Sequence, residues 1–220
     1  AEAPKTEVKA PETPAKVEET KVETPAPVVE APAPVVETPK ATSGKYKLGM
    51  GVVYSDSSST TQAAYSATVA AVVVDENGVI VDCKIDCAQN KMNGDAVDPE
   101  KTFKSKYELG YDYNMVKFSE ATNEWFQQAD AFAQYVIGKT GEEVAALPTR
   151  VRGADEPHPG YVVTTDETLF ASCSISIPDF KEAVAKAAAD PYAQEFEGTS
   201  FTLGVACNSD ASSSTAPADG

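Results

Sequence analysis

The 220 residues carry 18 Lys and Arg against 34 Asp and Glu, a net charge of −16 at neutral pH. That balance argues against nucleic acid and anionic membrane surfaces as partners, since both need clustered cations, and it suits a protein facing the outside of a cell. The longest apolar stretch, ATVAAVVV at 67–74, has eight residues, far short of the roughly 20 of a membrane-spanning helix.

The first 41 residues hold eight of the fifteen prolines, five Lys and eight Glu, no aromatic residue, Gly or Cys, and PAPVVE twice, at 25–30 and 32–37. They cannot bury enough apolar surface to offset the entropy of ordering them. Pro alternating with charge favours extended chain. Residues 1–41 therefore read as a disordered tether, at roughly 3.1 Å per residue able to hold the rest on the order of 100 Å from an anchor. A featureless tail shares all these properties. The chain opens without Met, which points to processing or trimming.

Residues 42–199 read as one α+β module, a mainly antiparallel sheet with helices packed on one face. YKLGMGVVY at 46–54 is a Gly-rich strand. The β-rich runs 65–74 and 79–90, separated by Asp75-Glu76-Asn77-Gly78, form a hairpin, because Asn-Gly tolerates positive φ at a tight turn. In its second arm Val79, Val81, Cys83, Ile85 and Cys87 are expected on the core face, with Ile80, Asp82, Lys84 and Asp86 opposite. Ser119 is the expected N-cap of a long helix closed by Gly138, with an apolar stripe from Ala121 through Trp125, Ala129, Phe132 and Val136. Thr140 and Glu143 predict a capping box for a short helix ending before Pro148. Residues 149–164 read as a loop, LFASCSISI at 169–177 as a strand, and 176–190 as a third helix with Ser176 as N-cap and Pro178 in its first turn.

Few residues offer catalysis. The one histidine, His158, lies in the loop EPHPG, and neither a His-based metal site nor a Ser-His-Asp arrangement has the partners it needs. DENG and NKMNGDAVDPE lack the ligand spacing of a calcium loop. Cys83 and Cys87, four apart on one strand, stand roughly 13 Å apart at about 3.3 Å per residue, beyond the roughly 7 Å a disulfide allows. Each is either a buried thiol or paired with Cys173 or Cys207. Tyr107, Tyr111, Tyr113 and Phe118 are expected to pack beneath the long helix, stacking on a planar ligand being the alternative.

Five stretches, LGMGVV, ATVAAVVVDENGVIVDCKIDCAQ, FKSKYELGYDYNM, EWFQQADAFAQYVIGKT and LFASCSISIPDFKEAVAKA, taken in that order, resemble clostridial cell-surface proteins and lipoproteins whose modules are similar to the FMN-binding domain family. The resemblance covers roughly residues 45–190. It implies a module tethered to the envelope on the outer side of a Gram-positive cell, carrying a flavin, electrons or another ligand. Members that are flavinylated join a Thr hydroxyl to the FMN phosphate in a motif D-x-x-S/T-G-A-T leading into a helix. Here SCSIS is the matching stretch: Ser174 stands for the Thr, Cys173 for the Ala and Ser172 for the Gly. Ser176 follows, ahead of a helix whose N-terminus would welcome a phosphate. Ala171 and Thr168 depart from the motif's S/T and Asp, and Asp166 is two residues off. Alternation along a strand accounts for Ser172, Ser174 and Ser176 without a cofactor, and a non-catalytic structural role at the cell surface is the alternative function.

The chain also echoes itself. Shifted by 155 positions, Leu48, Gly49 and Ser57–Thr60 meet Leu203, Gly204 and Ser212–Thr215, with Tyr46 opposite Phe201 and Met50 opposite Val205. Residues 200–220 thus read as the start of a second repeat or a C-terminal strand with a Ser-rich tail. Such a strand should add to an open sheet edge or associate with a second molecule.

Overall fold

A computed structural model describes residues 44–56, 62–93 and 104–207. The tether at 1–41, the Ser/Thr halves of the two echoes, the GDAVDPE stretch from 94 and the tail from 208 lie outside the described residues.

The hairpin predicted around Asn77-Gly78 joins β2 (Gln62–Asp75) to β3 (Ile80–Asn93). Only Gly78 takes positive φ, at 77°. The turn is closed by Asp75, whose carboxylate accepts from the N–H groups of Asn77 and Val79 at 2.9 Å. The loop is therefore a turn ending in a left-handed glycine, not a two-residue Asn-Gly turn. β1 (Gly44–Asp56) pairs antiparallel with β2, and β6 (Gln194–Gly198) pairs antiparallel with β1, giving one sheet in the order β3-β2-β1-β6. The molecule is α+β.

The register shifts between Val73 and Val74, where Val74 faces Ile80 and Val73 faces Asp82. Val81 is the extra residue, so the alternation changes phase there. Ile80 joins Cys83, Ile85 and Cys87 on the core face, while Val81 packs on the opposite side. The sequence expectation had Ile80 and Val81 exchanged, because strict alternation carries no sign of a bulge.

Helices cover one face. α1 (Lys106–Leu109) is followed by a 3-10 turn (Gly110–Tyr113) and by α2 (Met115–Phe118). α3 (Trp125–Tyr135) and α6 (Pro178–Ala188) are the long ones, and α4 (Gly141–Ala145) has the predicted Thr140–Glu143 capping box. α3 lies over β3 and α6 over β1 and β2. Trp125 and Phe132 meet Phe180 of α6 at ring-centroid distances of 5.6 and 5.5 Å, above Val53, Val72 and Ile85. α3 starts five residues later than Ser119 implied. Its N-cap is Glu124, whose capping box with Gln127 satisfies the Gln127 N–H and the Glu124 N–H, and Gly138 turns the chain out at φ 83°.

β1 can lie under α6 because Gly49 and Gly51 present no side chain there: a Cβ on either would run into the backbone carbonyls of Ala187 and Ala183. Of the four aromatic residues expected beneath the helix, Tyr113 packs against the core, while Tyr107 and Tyr111 set their rings edge-on to Phe126 of α3 at 5.9 and 5.2 Å yet stay exposed, as Phe118 does.

The opposite face of the sheet receives residues 201–207. They form no strand; Leu203 packs with Tyr46, Ala71 and Val73, beside Phe196, Phe201 and Val205. The segment lies across the face of the sheet, not on its edge as a C-terminal strand would. Its apolar residues alternate, and the outer face of β1 and β2 offers apolar partners that an edge does not. Among the described residues no helix is long and apolar enough to cross a membrane.

Candidate functional site

Two segments differ from their sequence reading, and both build the site. Residues 149–164 form a two-stranded sheet, β4 (Thr149–Val151) with β5 (Val162–Thr164). LFASCSISI is not a strand: α5 (Glu167–Ser172) takes its first half, N-capped by Asp166, which accepts from Leu169 N–H at 2.9 Å. The Leu169 N–H and the Tyr135 hydroxyl together hold the Asp166 carboxyl below its usual range. Ser172, Ser174 and Ser176 therefore do not alternate along a strand.

Between the β4–β5 hairpin, the loop after α5 and residues 115–122 lies a pocket of about 410 Å³, lined by Met115, Tyr161, Phe170 and Ile175 together with Arg152 and Ser174. Its volume falls within the usual range for small-molecule sites. His158 also lines it, at φ 52° on the hairpin tip and stacked on Tyr161 at 5.0 Å.

Of the four residues singled out by the sequence, one reaches the pocket. Ser174 does so, half-buried, with its N–H donating to Gln128 Oε1 at 2.9 Å and its hydroxyl only loosely placed, 3.5 Å from the same atom. Ser172 Oγ donates to the Leu169 carbonyl at 3.2 Å. Cys173 is fully buried, and burial pushes its thiol up to about 12. Ser176 is exposed and is not the N-cap of α6; Ile177 is, with Pro178 behind it. The first turn of α6 does not line the pocket, and its Asp179 accepts from Ser55 Oγ at 3.0 Å. A helix N-terminus is therefore not what this site offers an anion.

Arg152 offers the charge instead. It is only 9% exposed, and its terminal nitrogens donate to the carbonyls of Pro157 and of Ser174, the latter at 2.6 Å. Among the described residues its Nε has no partner. The nearby carboxylate, Glu156, is held by Arg150 at 2.7 and 2.8 Å and by the Gly153 N–H. Those bonds, Arg150 first, keep the Glu156 carboxyl down at about 2. Phe170 lies under both guanidinium groups at 5.4 and 5.5 Å.

Gln128 fixes the loop that carries Ser174. Fully buried on α3, it accepts from the N–H groups of Ser174 and Ile175 and donates to the Asn123 carbonyl at 2.8 Å and toward Met115 Sδ. One turn earlier Glu124, also buried, accepts from Met115 N–H at 2.7 Å. The two side chains thus tie opposite walls of the pocket to α3. Gln128→Leu takes the partner from three part-buried backbone groups, the Ser174 and Ile175 N–H and the Asn123 carbonyl, each worth about 1–3 kcal/mol when left unsatisfied. Urea unfolding should show a loss of several kcal/mol, and the Ser174 and Ile175 amides should exchange faster.

Sequence reasoning missed Arg152 and Gln128, though each left a signal. TRV and YVVT flanking GADEPHPG have the form of a hairpin, and Gln128 is a polar residue on the otherwise apolar stripe of α3.

The remaining thiols do not extend the site. Among the described residues the four cysteines form no disulfide, and Cys83 and Cys87 share the inner face without a bridge, as their spacing requires. Burial raises the thiols of Cys83 and Cys87, and Cys207 is pushed up to about 11 by burial together with Asp86 and Cys87. Such thiols are poor nucleophiles. Among the described residues no group of His, Cys, Asp and Glu is arranged to hold a metal ion. Comparison of the chain with protein-family models, curated proteins and solved structures finds no match.

Proposed function

We propose that this chain is a ligand-carrying module of FMN-binding-like type, held at the outer surface of a Gram-positive cell envelope by its Pro-rich segment. The observation that carries this reading is the pocket lined by Ser174 and by a buried arginine that bonds the Ser174 carbonyl and, among the described residues, no carboxylate. Flavin was suggested by the resemblance around residues 169–187, and the residues present fit it. The apolar walls suit a planar ring, and Arg152 supplies the charge for a phosphate that the helix N-terminus does not. Bound FMN would supply electron transfer. The chain's own residues would bind and orient: Arg152 and Ser174 at the phosphate, Phe170 and Tyr161 along the ring, Gln128 holding the loop. No acid–base pair or activated nucleophile accompanies them among the described residues, which favours a carrier over an enzyme.

The test is the visible flavin band on protein purified from its native host, or on recombinant protein loaded with FMN and desalted. The carrier reading expects the band. If Ser174 forms the linkage, the colour survives denaturation in the wild type and not in Ser174→Ala. Colourless protein that also fails to take up FMN overturns the flavin assignment.

The second reading, a structural protein that assembles through residues 201–207, is favoured by the apolar seam those residues make on the outer sheet face. The same seam formed between two copies would join them.

A further inference from the structure

We infer that the pocket selects small planar ligands bearing a single oxyanion, carboxylate or phosphate, and that Arg152 is the residue that selects them. The inference deepens the ligand-carrier reading and depends on the pocket binding a ligand, but not on that ligand being a flavin.

A buried guanidinium is costly unless it meets an anion or its N–H groups are all bonded. Arg152 meets neither condition. Among the described residues no carboxylate lies within salt-bridge distance of it, and its two acceptors are neutral carbonyls. Its Nε is an orphan donor. Each terminal nitrogen commits one hydrogen and retains another. Glu156, the acid that could have neutralised it, is already claimed by Arg150 in a two-pronged pair. Glu156 lines the same pocket and still feels Arg152 electrostatically, but its oxygens bond Arg150 and the Gly153 N–H, so no carboxylate is bonded to the second guanidinium among the described residues. A carboxylate or phosphate matches the planar fork of that second group.

The walls define the rest of the ligand. Phe170, already under the two guanidinium groups, and Tyr161, stacked on His158, form aromatic walls, and Met115 and Ile175 add apolar ones. Ser119, Thr122 and Ser174 add neutral hydroxyls at the lining, and Glu120, exposed at the same lining, disfavours further negative charge. One oxyanion on a flat apolar body meets both the apolar walls and the Arg152 fork; a cation or a sugar leaves that fork without an anion.

The rival account makes Arg152 a staple that joins the hairpin to the Ser174 loop through two carbonyls. The two accounts part in solution. Benzoate, phenyl phosphate and uncharged benzamide are titrated into the full chain, following the amide resonances of Ser174, Ile175 and Tyr161. The oxyanion site expects benzoate or phenyl phosphate to bind about ten- to a hundredfold more tightly than benzamide, the value of a charged hydrogen-bonded contact. The ratio of the first two probes tells carboxylate from phosphate. Arg152→Gln should erase the preference, and Arg152→Lys, which keeps charge but not the fork, should retain part of it. Should Arg152→Gln fail to fold, raising salt on the wild type serves instead: it should weaken benzoate and leave benzamide unchanged. Equal binding of all three probes, no binding of any, or a preference that survives Arg152→Gln overturns the inference. Failure to bind FMN with benzoate still Arg152-dependent overturns only the flavin assignment.

Discussion

Gly51→Ala should unfold this protein at a markedly lower temperature, while Gly204→Ala should leave it nearly unchanged. A methyl group on Gly51 would fall against the Ala183 carbonyl, with Ala187 N at 2.7 Å and Lys186 Cβ at 2.8 Å. Two of these atoms are helix backbone and cannot swing aside, so α6 must lift from β1 as a body. Lifting it would loosen Phe180, Ala183, Val184 and Ala187 from the core at once. Overpacking typically costs about 1–3 kcal/mol and more where neighbours cannot yield; here the upper end or beyond is expected. That corresponds to a fall in melting temperature of roughly 10 °C. Gly204, aligned by the echo with Gly49 in β1, has nothing within 4 Å of its would-be Cβ, so alanine there should cost within about 0.5 kcal/mol. Calorimetry on the two variants checks both. A Gly51→Ala protein as stable as wild type would mean that α6 does not sit on β1 in this way.

The glycines show what a sequence can and cannot convey. YKLGMGVVY is legible as a strand from its alternation, but the reason for two glycines in it is a helix more than 120 residues away. The long helix was legible through its apolar stripe, and its start was misplaced. A serine at 119 looks like a cap, whereas Glu124 caps through a reciprocal bond with Gln127 and also holds α2. β6 left no apolar run to read. Its sequence QEFEG becomes a strand through cross-strand partners: Glu195 and Glu197 face Lys47 and Lys45, and Phe196 meets Tyr46 at 5.5 Å. For the site the same rule holds more sharply. Ser174 could be named from a local motif, but the groups that give it meaning, Gln128 and Arg152, lie 46 and 22 residues away. Tertiary structure alone joins them, so no local pattern could have placed them together.

Removal of residues 200–220 should lower the melting temperature by roughly 10 °C, because residues 201–207 cover the outer face of the sheet. Phe201, Leu203 and Val205 point inward in alternation and Thr202, Gly204 and Ala206 outward. Tyr46 is only 4% exposed, and its ring is packed by Phe196 at 5.5 Å and Phe201 at 5.4 Å, the two phenylalanines themselves meeting edge-on at 5.4 Å. Tyr46 and Phe201 are the aligned first residues of the two echoes, so like positions of the repeat pack on one another. Each large side chain stripped of its cover returns about 1.5–3 kcal/mol, and with Leu203 and Phe201 gone the sum reaches about 3–6 kcal/mol. The double variant Phe201→Ser, Leu203→Ser should approach the same loss without shortening the chain. Melting and sedimentation on one sample separate the readings. If stability falls and the oligomeric state is unchanged, the seam belongs to a single chain and the assembly reading loses its support. If an oligomer of the wild type dissociates on truncation, the segment is exchanged between copies. If both quantities stay the same, the segment contributes to neither, and the packing of Leu203 against Tyr46 and Val73 has no energetic consequence.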